Sequence, residues 1–277
     1  MDIVETYGLF GEITDKLLAL LGSLDGAQWD LPTCYPSWTV KDIAAHLVQT
    51  GLGRLSGQRD GYARKGGSGG GPSFEALSGA IDRSNADWAE RFSSLSPRVI
   101  LDLLSVSERQ LADFIRTQDL RSPALYPVAW AGETASENWF DLGREYTERW
   151  HHQQQIREAA GAESLAARRY LAPVLRLFVR AVPFWYRDVL AEEGTVIAVR
   201  ITGESGGEWG LVRRGEGWIL EDPPGGGGPA VSMSDDTAWR FFTRTLPLEA
   251  LEGKIGLSGD PALLRPFLRV RAVMTGD

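Results

Sequence analysis

Residues 28–47 read QWDLPTCYPSWTVKDIAAHL. Pro32 and Pro36 belong to a turn-rich stretch, and at Thr39 the pattern switches to apolar residues at helical spacing. Asp42 follows Thr39 by three residues, close to the pairing in which a hydroxyl and a carboxylate cap each other's backbone amides. A helix is therefore expected from Val40 to about Leu55, with His46 on it. Working outward, the first half of the chain reads as helices. One apolar stripe over residues 3–22 starts at Val4 and continues through Leu9, Ile13 and Leu17 to Leu21. Helical patterns cover about 74–94 and 97–117, the second opening on Pro97, which is favoured in a first turn. Glu137 to about Ala160 makes a long helix. The glycine-rich stretch 61–73, GYARKGGSGGGPS, is expected as a loop, and 119–134 as an irregular connection.

Beyond residues 161–165, a plausible boundary, one more amphipathic helix runs from Tyr170 to Val182, where Pro183 kinks or ends it. The character then changes. TVIAVRIT at 195–202 alternates and is rich in β-branched residues, a strand pattern. GEWGLVRRGEGWILE at 207–221 reads as a hairpin turning at Gly215. PPGGGG at 223–228 is a loop, AVSMS at 230–234 a short strand, and Asp235 or Asp236 the expected cap of a helix. KIGLSG at 254–259 is a strand, and Asp260 starts a last helix. This order implies an α+β fold. The expected organisation is a helical domain over residues 1–163 and an α+β domain over 164–277.

A length of 277 residues suits two domains. Apolar residues at 43% and charged residues at 24% allow a real core and exclude wholesale disorder. With 29 basic against 37 acidic side chains, the net charge of −8 lacks the footprint that a phosphate backbone needs, so no nucleic-acid partner is expected. Cys34 is the one cysteine. No internal disulfide can form, a reducing cytoplasmic setting fits, and the thiol is expected to be packed. Charges at Asp2, Glu5, Glu12, Asp15 and Lys16 interrupt any signal-peptide core, and no later apolar run is long enough to cross a bilayer. A soluble protein with no membrane partner, monomer or homodimer, is the expectation.

The chain has three histidines, His46, His151 and His152, on two of the expected helices. A neutral imidazole offers a lone pair at pH 7 and is the commonest metal ligand. Glu148 and His152 are four residues apart, which puts both side chains on one helix face within reach of one ion. His46 from the other helix would complete two imidazoles and one carboxylate. Around zinc, three such ligands leave one position open for water or substrate. Glu145, one turn before Glu148, is an alternative ligand. His151 points about 100° from His152 and is expected at the surface or behind the ligands.

The quoted stretch closely resembles the opening signature of the mycothiol-dependent maleylpyruvate isomerase family, within the wider DinB-like metalloenzymes. Trp29, Pro32, Thr33, Cys34, Trp38, Thr39, Val40, Asp42 and His46 match it. ERWHHQQQI at 148–156 resembles the family's second ligand helix, with Glu148 and His152 on the ligand positions. Trp218, AVSMSDDTAWRFF and KIGLSGDPALLRPFL resemble its second domain. The fold class implied is an N-terminal DinB-like four-helix bundle followed by a smaller sterol-carrier-protein-like α+β domain. Three positions depart from the pattern. Tyr35 stands where the family commonly has Pro, Ser37 where it has Gly, and Gln155 where it often has Asp.

The resemblance implies a divalent metal, usually zinc, held by His46, Glu148 and His152, with mycothiol or another low-molecular-weight thiol as cosubstrate. A thiolate near neutral pH is a strong nucleophile. Addition to an activated double bond, rotation and departure give cis–trans isomerisation; retention gives S-transfer to an electrophilic small molecule. Two other readings compete: a metal or small-ligand binding stress protein without turnover, and a metal-dependent hydrolase with Glu145 as base. Substrate acids would need cations, for which Arg144, Arg149, Arg265, Arg269 and Arg271 are candidates, each with a solvated helix face as its default. Trp38 is expected to staple the turn before the His46 helix, and Trp150 to wall the pocket. The cluster Phe184-Trp185-Tyr186 could line a ligand site, with core packing as its default.

Overall fold

The helix inside the quoted stretch forms as its cap residues dictate. In a computed structural model, which describes residues 2–35, 37–62, 74–221 and 228–274, Thr39 Oγ1 accepts a hydrogen bond from the Asp42 amide at 3.2 Å. Asp42 Oδ2 in turn accepts from the Thr39 amide at 2.9 Å. This capping box opens α2. The helices of the first half are α1 (Phe10–Ser23), α2 (Val40–Arg54), α3 (Phe74–Phe92), α4 (Pro97–Arg116) and α5 (Asn138–Ala159). Ser96 caps α4 by accepting from the Val99 amide, ahead of Pro97. One turn of π-helix, Leu55–Arg59, continues α2.

The chain divides into two compact units. One is built chiefly from Glu5–Tyr126 and Glu137–Leu165. The other takes Pro127–Ser136 and Ala166–Val273, with the first residues up to Val4. In the first unit α2 packs against α3, α4 and α5, and α1 against α4 and α5. The core lies where Leu17 and Leu21, Val40, Ile43 and Leu47, and Ile100 and Leu104 meet Ile156. Each group recurs at three- or four-residue steps, so each helix turns one stripe inward. Burying a side chain of this size stabilises by roughly 1.5–3 kcal/mol. The helix α5 differs: from Phe140 to Ile156 it is buried on nearly every side.

The second unit has α6 (Arg168–Phe178), α7 (Val182–Trp185), β1 (Val196–Thr202), β2 (Gly207–Arg214), β3 (Gly217–Glu221), β4 (Ala230–Ser234), α8 (Asp235–Thr243), β5 (Gly256–Ser258) and α9 (Pro261–Leu264). The sheet order is β3-β2-β1-β4-β5, with β1 and β4 parallel and the other neighbours antiparallel. The hairpin turns at Gly215, whose φ of 54° suits a residue without Cβ. Ile197, Val199 and Ile201 of β1 are buried, and α8 packs on β1 and β4.

Three expectations need correction. Residues 2–6 are not helical; the backbone there runs out so that the Asp2 carbonyl accepts from Arg180 Nη2 at 2.8 Å. Pro183 does not end the helical stretch. A turn of 3-10 helix, Val179–Ala181, precedes α7, and Pro183 sits in the first turn of α7, where its missing amide costs nothing. The cap of α8 is Ser234, whose Oγ accepts from the Thr237 amide at 3.1 Å, not Asp235 or Asp236. Apart from Gly61, Tyr62 and Gly228, the two glycine-rich loops lie outside the described residues. Among the described residues no helix is long and apolar enough to cross a membrane.

Candidate metal centre

The turn before α2 is closed by its own backbone. Thr33 donates to the Trp38 carbonyl at 3.0 Å, Trp38 to the Tyr35 carbonyl at 2.9 Å, and Val40 to the Leu31 carbonyl at 3.0 Å. This fixes Trp38 at the mouth of α2 and places the His46 ring two turns along the helix. From α5, Glu148 and His152 present their side chains to the same point. Glu148 Oε1 lies 3.0 Å from His46 Nε2 and 3.1 Å from His152 Nε2. One ligand atom from each of the three residues lies within 4.8 Å of the others. Both histidines are buried, while the Glu148 side chain keeps 26% of its surface accessible.

The electrostatics suit a cation. Burial lowers the pKa of His46, and the nearby His152 ring adds to this, so the imidazole keeps its lone pair. Burial alone would raise Glu148, but the His152 ring and hydrogen bonds from His152 and His46 hold its carboxyl well below the ordinary value. Two imidazoles, each yielding its Nε2 proton to an incoming ion, and one carboxylate are a donor set for a divalent ion, and three protein ligands leave a position open. The ligands are also oriented from behind. His152 Nδ1 donates to Gln155 Oε1 at 2.8 Å, which aims Nε2 at Glu148. His46 Nδ1 is buried with no hydrogen-bond partner among the described residues. The Trp38 indole covers both rings, at 5.1 Å from His46 and stacked at 6.0 Å from His152.

The other singled-out residues sort differently. His151 is buried, not at the surface. Its Nδ1 donates to the Thr147 carbonyl at 2.9 Å, its ring lies 4.0 Å from that of His152, and burial holds its pKa down to about 3. Glu145 does not join the ligands. Burial would raise its pKa, but Arg144, Arg54 and Arg149 outweigh that and hold it at about 2. Arg149 is not on a solvated face: Nε and Nη2 grip Glu108 at 2.7 and 3.1 Å, and Nη1 reaches Glu145 at 2.8 Å. Asp141 carries Arg54 at 2.6 Å and Arg144 at 2.7 Å. Trp150 is fully buried, its Nε1 donating to the Leu165 carbonyl, so Trp38 is the indole against the imidazoles. Cys34 is exposed rather than packed, because the self-closed turn leaves its side chain outside. Arg265, Arg269 and Arg271 belong to the other unit. So do Trp185, bonded to the Arg271 carbonyl, and Tyr186, bonded to the Leu263 carbonyl.

Sequence reasoning missed Arg54, Glu108 and Asp141, which form the buried ionic layer beside the ligands. No local pattern announces them. Gly51 on α2 carries a trace of the layer, since a Cβ there would lie 2.7 Å from Glu108 Oε1.

Comparison with solved structures finds two chains of the same fold. One is a histidine-to-alanine mutant of the mycothiol-dependent maleylpyruvate isomerase, at TM-score 0.54 and 16% identity, covering 93% of each chain. The other is the mycothiol-dependent maleylpyruvate isomerase, at TM-score 0.52 and 15% identity, covering 87% of this chain and 88% of that one. No curated protein matches. The fold is that of a helical bundle followed by an α+β portion, as the resemblance implied. The signature described as Mycothiol maleylpyruvate isomerase N-terminal domain matches residues 10–157, more than half of the sequence and the whole of the ligand geometry, and the chain belongs to that family.

Proposed function

We propose that this chain is a metal-dependent isomerase that uses a low-molecular-weight thiol, mycothiol or a close analogue. It acts on an electrophilic small molecule by cis–trans isomerisation, or by S-transfer when the thiol is retained. The observation that carries this reading is the convergence of His46, Glu148 and His152 in a member of this family. The isomerase named in both structural matches supports it. A divalent ion there, zinc by the donor set, supplies a positive charge that favours the thiolate form of a thiol.

The chain's own residues prepare for this. His46 and His152 offer lone pairs from fixed directions, because Gln155 holds one ring and Trp38 covers both. Glu148 is the accessible ligand, so cosubstrate and substrate enter on its side. Glu145, ion-paired and held at about 2, is no base at neutral pH, and this counts against the hydrolase reading.

Metal analysis of the purified protein is expected to give about one zinc per chain. His46→Ala is expected to lose the metal and all thiol-dependent isomerisation of maleylpyruvate. Full metal occupancy in that variant would overturn the assignment. Bound metal with no thiol consumption across a panel of electrophiles would favour a binding protein.

A further inference from the structure

We propose that Arg144 anchors a carboxylate of the substrate beside the metal centre. The inference rests on the reading above and adds to it the one side chain of α5 that would hold the substrate. Between Phe140 and Ile156 every residue of α5 is buried except Arg144 and Glu148. They stand four apart and share one helix face, with Cβ atoms about 5–6 Å apart. Over that span the helix is accessible on one face, which holds a metal ligand and a guanidinium.

Arg144 is built to receive an anion. Nε and Nη2 are held on Asp141 Oδ1 at 3.2 and 2.7 Å, and Nη2 also on Glu145 Oε1 at 2.8 Å. Nη1 has no bonding partner among the described residues. The planar fork is already oriented, so a ligand need not supply the ordering free energy of a long side chain. The neighbouring guanidinium groups cannot serve. Arg149 is 2% exposed and saturated by Glu108 and Glu145, and Arg54 is 3% exposed against Asp141.

Charge selects the ligand. Arg54, Arg144 and Arg149 face the carboxylates of Glu108, Asp141, Glu145 and Glu148. A divalent ion on Glu148 turns that deficit of one positive charge into an excess of one. In the thiol-free protein a single carboxylate matches it, whereas a phosphate dianion overshoots.

The test is calorimetric titration of the zinc-loaded protein with succinate and with succinamide, its uncharged counterpart. The wild type is expected to bind succinate at least about tenfold more tightly, as one charge-assisted contact provides. Arg144→Gln is expected to lose that preference at unchanged zinc content, and Arg144→Lys to keep part of it. Equal affinity for the two ligands in the wild type overturns the proposal without any variant. Unchanged succinate affinity in Arg144→Gln overturns it as well. If Arg144→Gln does not fold, the wild-type preference and its fate in Arg144→Lys decide, an undiminished preference in the lysine variant counting against the guanidinium. No thiol and no turnover enter these titrations. Failure to find thiol-dependent isomerisation sinks the earlier reading, whereas an absent succinate preference in a protein that does isomerise sinks only this one.

Discussion

Gln155 turns one imidazole into a directed ligand. Its amide oxygen accepts from His152 Nδ1, which keeps a proton there, so Nε2 is the nitrogen that would give up its proton to an incoming ion. Losing such a partner costs about 10–100-fold in metal affinity. Gln155→Leu is expected to show a loss of that size in competition with a chelator, while Gln155→Glu, which keeps an acceptor, retains binding. Glu145 gives a pH signature. Its folded pKa of about 2 lies below the ordinary 4.5, so its contribution to stability is complete above the unfolded value. It is lost as pH falls from about 4.5 to about 2, and amounts to about 3 kcal/mol. Denaturant melts at stepped pH are expected to show stability falling across that window. Removing the cation between Glu108 and Glu145 is harsher: Arg149→Met leaves two buried carboxylates short of a partner and is expected to cost about 3–5 kcal/mol.

At the scale of elements, α2 and α5 carry the site, and each is fixed by a different device. The helix α2 depends on its cap. Thr39→Ala removes one half of the capping box and is expected to cost about 1 kcal/mol in a denaturant melt. Since Trp38 precedes Thr39, the same change is expected to alter tryptophan fluorescence at the centre. The helix α5 has no side-chain cap and a weak apolar stripe, since its buried faces are filled by Asp141, Glu145, Arg149 and the histidines. Its position is set by ion pairs to α2 and α4 together with the buried side chains of Phe140, Tyr146, Trp150 and Ile156.

At the scale of the molecule, an ion held between α2 and α5 ties together residues 102 positions apart. An ion bound only by the folded chain stabilises by mass action, about 2.7 kcal/mol at one hundred times Kd. Zinc is therefore expected to raise the melting temperature of the metal-free protein and to leave that of His46→Ala unchanged. The helices, the hairpin and the strands along the chain were legible because apolar period and turn residues write them locally, whereas the sheet order β3-β2-β1-β4-β5 was not. The start of α1, the role of Pro183 and the cap of α8 were misread, since each depends on where the backbone must run next.

What the sequence by itself determined is the set of elements, the capping of α2, and the pairing of Glu148 with His152 on one helix face; these follow from spacing along a helix. His46 joined them on the strength of a signature, not of distance. Only the tertiary structure decided that the three meet, that Glu145 is withdrawn into ion pairs, and that Arg144 is accessible while Arg149 is not. Helical spacing sets which side chains share a face, but which face is covered depends on helices brought in from elsewhere in the chain. Burial, and with it every shifted pKa of the site, exists only once they have packed.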